Sequence, residues 1–107
     1  MRLADAYLMR AEAKLRNGDA AGALDDVNAV RTARGAATLN SLDLDAMLAE
    51  RGFEFYWESQ RRTDLIRFGK FNDAWTSKEV SDANKRLFPI PLNALAASSN
   101  LTQNSGY

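Results

Sequence analysis

Leu3, Tyr7, Leu8, Ala11 and Leu15 recur at the steps of one helical face, and the spacing predicts a helix over residues 3–17, with Ala4, Ala6 and Ala13 adding propensity. Gly18 can turn left-handed to end it, and Asp19 can cap the next helix. In that second helix Ala23, Leu24, Val27 and Val30 form the inward face, Asp25 and Asp26 stay in water, and Gly35 is the stop. The two helices make a tight hairpin over residues 1–35. Residues 36–42 are polar enough for a surface loop, closed by Ser41 or Asp43 as a cap. From Leu44 the apolar positions Leu44, Met47, Leu48, Phe53, Phe55 and Trp57 resume at mainly helical spacing, so one long helix is expected, weakened at Gly52 by about 1 kcal/mol relative to Ala. A shorter helix from about Arg62 runs through Leu65 and Ile66 to Phe68 and closes at Gly69.

The remainder is less periodic. Trp75 anchors a solvated loop over residues 72–86 with at most one helical turn. Pro89 and Pro91 hold Leu87-Phe88-Pro89-Ile90-Pro91 extended and remove two backbone donors. Pro91 then suits the first turn of a short helix through Ala97. The tail, residues 98–107, is irregular and packs through Leu101 and Tyr107. The expected architecture is all-α with no sheet, a single domain of three parts: a hairpin (1–35), two helices (43–71), and loop, proline segment and tail (72–107).

Composition narrows the chemistry. At 107 residues, 46% hydrophobic and 26% charged, the chain suits a globular domain that buries roughly 65% of its unfolded surface. Fourteen basic and fourteen acidic residues give a net charge of zero, against the basic excess of nucleic-acid binders. With no Cys and no His there is no thiol nucleophile, disulfide, Cys/His zinc site, serine triad or histidine base. Carboxylate chemistry remains, and no cofactor is called for. No apolar run is long enough to span a bilayer, and Met1-Arg2 leads into a polar helix, not a signal segment.

Charge is densest between Glu50 and Phe71. Glu50, Glu54 and Glu58 recur every four residues and repel by a few tenths of a kcal/mol per pair, so cations must lie close. Arg51, Arg61, Arg62 and Arg67 are the candidates. One reading is a metal or acid/base site like those of di-iron bundles, but those add histidines and a second acidic helix, and here Asp64 sits among arginines. The other is a structural network of Glu50, Glu54, Glu58, Arg61, Arg62, Asp64 and Arg67, with Glu54 and Glu58 held by Arg61, Arg62 or Arg67 to pin one helix on the next. Phe53, Tyr56, Trp57 and Trp75 are either core aromatics, the commoner role at helical spacing, or a platform for sugar rings. Arg61-Arg62 with Arg67-Phe68-Gly69-Lys70 could serve a phosphate, but Glu58 and Asp64 neutralise their field.

Glu50-Arg51, Glu54-Phe55, Trp57-Glu58, Gln60-Arg61-Arg62, Asp64-Leu65 and Arg67-Phe68-Gly69-Lys70-Phe71 resemble the C-terminal signature of the SusD/RagB proteins. Phe88-Pro89-Ile90-Pro91 resembles that family's proline-flanked segment, and Asn100-Leu101-Thr102-Gln103-Asn104-Ser105-Gly106-Tyr107 its terminal tail. Ser59 stands where the pattern has Gly, and Ser105 where it has Pro, which questions the local turns. The resemblance places a turn at Ser59 or Gln60, ending the third helix. It implies the C-terminal part of a non-catalytic outer-membrane lipoprotein, anchored through an N-terminal lipid, that captures glycans at the cell surface. Such proteins pass oligosaccharides to a TonB-dependent transporter, with glycan contacts mainly N-terminal to this region. Tyr7, Ala11, Gly18-Asp19, Ala23-Leu24, Val27 and Val30 are also similar to a tetratricopeptide unit, a pattern any alanine-rich hairpin shares. A lone unit cannot bury both faces, so the chain is expected to be a fragment whose apolar stripe is left open or covered by a second copy. Two other functions stay open: a tetratricopeptide-like adaptor for a peptide, and a carboxylate glycosidase with two acids about 5–9.5 Å apart.

Overall fold

The structure, a computed structural model, describes residues 2–107; Met1, included in the expected hairpin, lies outside the described residues. Among the described residues five α-helices and one 3₁₀ turn appear in two compact units, the first running to Phe68 and the second Gly69–Tyr107. The described residues contain no strand, only an isolated bridge between Trp75 and Lys78. The fold is all-α, as expected.

In the first unit α1 (Leu3–Arg16) and α2 (Ala20–Ala33) form the hairpin. Gly18 takes φ +87°, the left-handed turn an L side chain resists, and the Asp19 carboxylate accepts the Gly22 N–H at the start of α2. Ala11 and Ala23 are fully buried, so their small side chains let the helices approach, with Leu8, Val27 and Val30 packed beside them. Leu3, placed inward by the spacing, is instead exposed at the start of α1. Asp26 is a second correction. It is only 4% exposed, because Asp26 lies three residues after Ala23 and so shares the buried face, while Asp25 stays in water.

The loop over residues 36–42 is tied to α2 by side chains. The Asn28 amide donates to the Leu39 carbonyl at 3.0 Å and accepts the Leu39 N–H at 2.8 Å, and Arg31 Nε donates to the Ala37 carbonyl. Asp43 caps α3 (Leu44–Glu54) by accepting the Ala46 N–H. Met47 buries in one cluster with Leu8, Ala11, Ala23, Val27 and Val30 of the hairpin, and Leu48 is also buried. Helix α3 ends five residues before the expected stop near Ser59, and α4 (Arg61–Arg67) follows. Aromatic residues at 53, 55, 56 and 57 would spread around a continuing helix, which could bury only one side. The chain leaves the helix and buries Phe55, which is 3% exposed.

This choice overturns the core placement of Phe53, Tyr56 and Trp57. All three are exposed, Trp57 at 88%. Trp57 and Ser59 both adopt the left-handed region, at φ +63° and +61°. The position where Ser replaces the resemblance's Gly is therefore one where the backbone favours Gly.

In the second unit Trp75 and Lys78 exchange two backbone hydrogen bonds around Ser77, and the Lys78 ammonium lies 4.3 Å from the Trp75 ring centroid. Trp75 is 45% exposed, so it is no core residue. A 3₁₀ turn, Ala83–Arg86, precedes the extended proline segment, and α5 (Leu92–Ala97) starts directly after Pro91. The tail is held by polar groups where packing through Leu101 and Tyr107 was expected; these are 43% and 45% exposed. Gln103 brackets Ile90, accepting its N–H at 2.8 Å and donating to its carbonyl at 2.9 Å. Asn104 donates to the Phe88 carbonyl and the Tyr107 hydroxyl to the Leu87 carbonyl. An extended segment that carries two prolines has few donors and several carbonyls outside regular structure, so polar side chains serve it better than Leu.

Ser59→Gly should stabilise the chain by about 1 kcal/mol, because it relieves a left-handed L residue. Urea unfolding measures this; no gain, or a loss, would contradict the strained turn.

Candidate functional site

The carboxylates of α3 and the turn after it face arginines of the hairpin. Arg31 pairs with Glu50. Arg34 approaches Glu54 with Nε at 3.0 Å and Nη2 at 2.6 Å. Arg2, in an extended conformation just before α1, reaches Glu54 through Nη1 at 2.6 Å and Glu58 through Nη2 at 2.7 Å. The predicted network therefore has other partners. Glu54 pairs with Arg2 and Arg34, and Glu58 with Arg2, because the side of α3 that carries Glu50 and Glu54 is turned to the hairpin.

Arg67 and Asp64 belong to a second run of charges. Arg51 Nε lies 3.0 Å from Asp64 Oδ1 and Arg51 Nη1 3.7 Å from Asp5 Oδ1. Arg67 Nη2 donates to Asp64 at 2.8 Å and to Glu12 at 2.9 Å, and Arg16 donates to Glu12 from α1. Acid and arginine alternate from Asp5 through Arg51, Asp64, Arg67 and Glu12 to Arg16, linking α1, α3 and α4. Arg51 and Asp64 are 4% and 1% exposed. Two aromatic rings are gripped along the way: Arg2 and Arg51 lie 5.1 and 5.0 Å from the Phe55 centroid, and Arg16 and Arg67 lie 4.8 and 5.4 Å from that of Phe68.

Arg61 stands apart. Its Nη1 donates to the Leu48 carbonyl at 2.7 Å, and Gly52 makes room, since a Cβ there would lie 2.8 Å from that nitrogen. Arg62 is half-buried on α4. Sequence reading missed Arg2, Arg31 and Arg34, for which no periodic signal exists. Glu12 could have been found: it lies four residues after the buried Leu8, on the same face.

Electrostatics follow the pairing. Burial alone would push the Glu12 carboxyl up, but Arg67 and Arg16 outweigh it and hold its pKa below the ordinary value. Arg34 is the chief cause of the lowered Glu54 pKa, with Arg2 adding to it against burial. Arg10 does the same for Asp26, with burial opposing and Lys14 assisting. The arginines respond in kind: Arg2 is raised by Glu58 and Glu54, and Arg67 by Glu12 and Asp64, against burial. Carboxylates so occupied are poor general bases and poor metal ligands.

A profile of the SusD family matches residues 1–107. The chain belongs to the SusD family. It is 38% identical to the starch-binding protein SusD of Bacteroides thetaiotaomicron over 99% of its length and 21% of that protein's. It is 33% identical to SusD-like protein P25 of Formosa agariphila, over 99% of its length and 24% of that protein's. Its backbone matches a crystal structure of a SusD-like protein from Bacteroides fragilis with TM-score 0.88 and 29% identity, covering all of this chain and 25% of the other. It matches surface glycan-binding protein A from Bacteroides uniformis with TM-score 0.81 and 31% identity, covering 96% of this chain and 26% of the other. The chain spans about a fifth to a quarter of the length of these relatives. No helix among the described residues is long and apolar enough to cross a membrane.

Arg51→Ala should cost about 1–3 kcal/mol, since it removes one of the two cations, Arg51 and Arg67, that meet the buried Asp64 carboxylate, whereas Arg61→Ala should cost less than about 1 kcal/mol. Equal losses in chemical denaturation would contradict the buried pair. Acid unfolding gives an independent check. Depressed folded pKa values at Glu12, Glu54 and Asp26 contribute stability present above the ordinary carboxylate values of 4.5 and 3.8 and lost as pH falls through the lower folded values. The melting temperature should accordingly hold from pH 7 to about 5 and drop steeply below about 4.5. A curve flat to pH 3 would contradict it.

Proposed function

We propose that this chain is the non-catalytic scaffold portion of a SusD-like lipoprotein at the outer-membrane surface, one that captures glycans and passes them to a TonB-dependent transporter. The family match across residues 1–107 carries the reading. Support for glycans as cargo comes from the relatives, one of which is a starch-binding protein and another a surface glycan-binding protein. The residues conserve their chemistry for cohesion: Glu50, Glu54, Glu58, Asp64 and Arg67 spend their charges on one another and on arginines of neighbouring elements. Binding and handover need no proton transfer, and carboxylates neutralised in this way suit a scaffold better than a hydrolase.

The intact protein should co-purify with a TonB-dependent transporter from detergent-solubilised outer membranes and retain an oligosaccharide on a glycan array without cleaving it. A protein recovered without a transporter, or one that hydrolyses the retained glycan, would contradict the proposal.

A further inference from the structure

Inside the first unit lies an open cleft of about 880 Å³, lined by Gly52, Phe55, Tyr56, Trp57, Arg51 and Arg61 among others. Its size falls within the range of ligand clefts, roughly 300–1,000 Å³. Its walls are aromatic with a few polar groups. Tyr56 and Trp57 do not stack on each other: their rings are tilted by 39° with centroids 6.0 Å apart, a corner that leaves ring faces open. The backbone holds Trp57 there at φ +63°, a conformation a bulky L residue adopts only when its surroundings impose it.

The charge of the cleft is one-sided. Among the described residues no Asp or Glu lines it. Arg51 is answered by Asp64 behind the wall, but Arg61 makes no ion pair among the described residues. One of its five N–H groups is held by the Leu48 carbonyl, which fixes the guanidinium and leaves donors for an incoming anion. A purely apolar partner laid over this cleft would bury that guanidinium without a counter-charge, an unfavourable outcome. A ligand that combines an apolar ring face with a negative group satisfies both walls.

We propose that this cleft is a subsite for an acidic oligosaccharide, with a sugar ring stacked on Trp57 or Tyr56 and its carboxylate or sulfate on Arg61. The inference rests on the reading of the intact protein as a glycan binder and adds a contact in this chain. It also takes, for Tyr56 and Trp57, the second of the two roles the sequence leaves open, a platform for sugar rings in place of a core.

Calorimetric titration of the 107-residue chain tests it, with a galacturonic acid trimer, neutral maltotriose and sodium sulfate as probes. The acidic trimer should bind at least about tenfold more tightly than either control, and more weakly as salt is raised. Trp57→Ala and Arg61→Gln should each weaken it by about tenfold or more while leaving the melting temperature near that of the parent. Affinity for the trimer no greater than for maltotriose or sulfate, or unchanged in Trp57→Ala, would overturn the subsite. So would sedimentation showing a dimer that Trp57→Ala dissolves, because the cleft would then belong to a second copy. Retention of a glycan by the intact protein carrying Trp57→Ala would leave the broader function standing in either event.

Discussion

A charge taken out of water costs several kcal/mol unless an opposite charge and hydrogen bonds meet it, and the first 68 residues bury Glu12, Asp26, Arg51 and Asp64. That constraint orders the unit. Each buried acid is met by a cation from another turn or another helix: Glu12 is hydrogen-bonded by Arg67 and Asp26 by Arg10. Asp64 takes its hydrogen bond from Arg67 and has Arg51 as an ion pair at 3.0 Å, with Arg51 Nε and Nη1 and Asp64 Oδ2 left without hydrogen bonds. Because the partners lie on different elements, satisfying the charges fixes the elements relative to one another. Helix α4 shows the consequence. Its seven residues are too few to be stable as an isolated helix, and Asp64 and Arg67 clamp it to α3 and α1.

The same device works less deeply where α3 meets the hairpin. Arg2, Arg31 and Arg34 gather Glu50, Glu54 and Glu58, which would otherwise repel, and Arg2 also flanks the ring of Phe55 beside Arg51. Extended segments are secured by another means. Asn28 on Leu39 and Gln103 on Ile90 each use a side-chain amide to supply one donor and one acceptor to a residue outside regular structure. A primary amide offers the same pair of groups as a neighbouring strand.

Local physics made much of this legible in the sequence. Gly18, Gly35 and Gly69 end helices at positive φ, Asp19 and Asp43 cap them, and Pro91 precedes α5, all as turn and cap chemistry predicts. A stripe of three glutamates also announced that cations had to be near. Which cations could not be read, because Arg2 and Glu54 are 52 residues apart and no periodicity links them. Asp26 and Trp57 failed for opposite reasons. Asp26 looked solvated by residue type although its position was on the buried face. Trp57 looked buried by residue type although the chain had already left the helix at Glu54 to bury Phe55.

Arg51, Asp64 and Arg67, three of the residues on which the resemblance to the family rests, also pair across α1, α3 and α4. The link between α1 and α4 is the most direct place to examine that claim, through a double-mutant cycle of Glu12→Gln and Arg67→Met followed by urea denaturation. The account predicts a coupling of about 0.5–3 kcal/mol that shrinks when pH falls below 4. Additive losses, with coupling near zero at neutral pH, would show that the helices are held by apolar packing and that the charges merely decorate it.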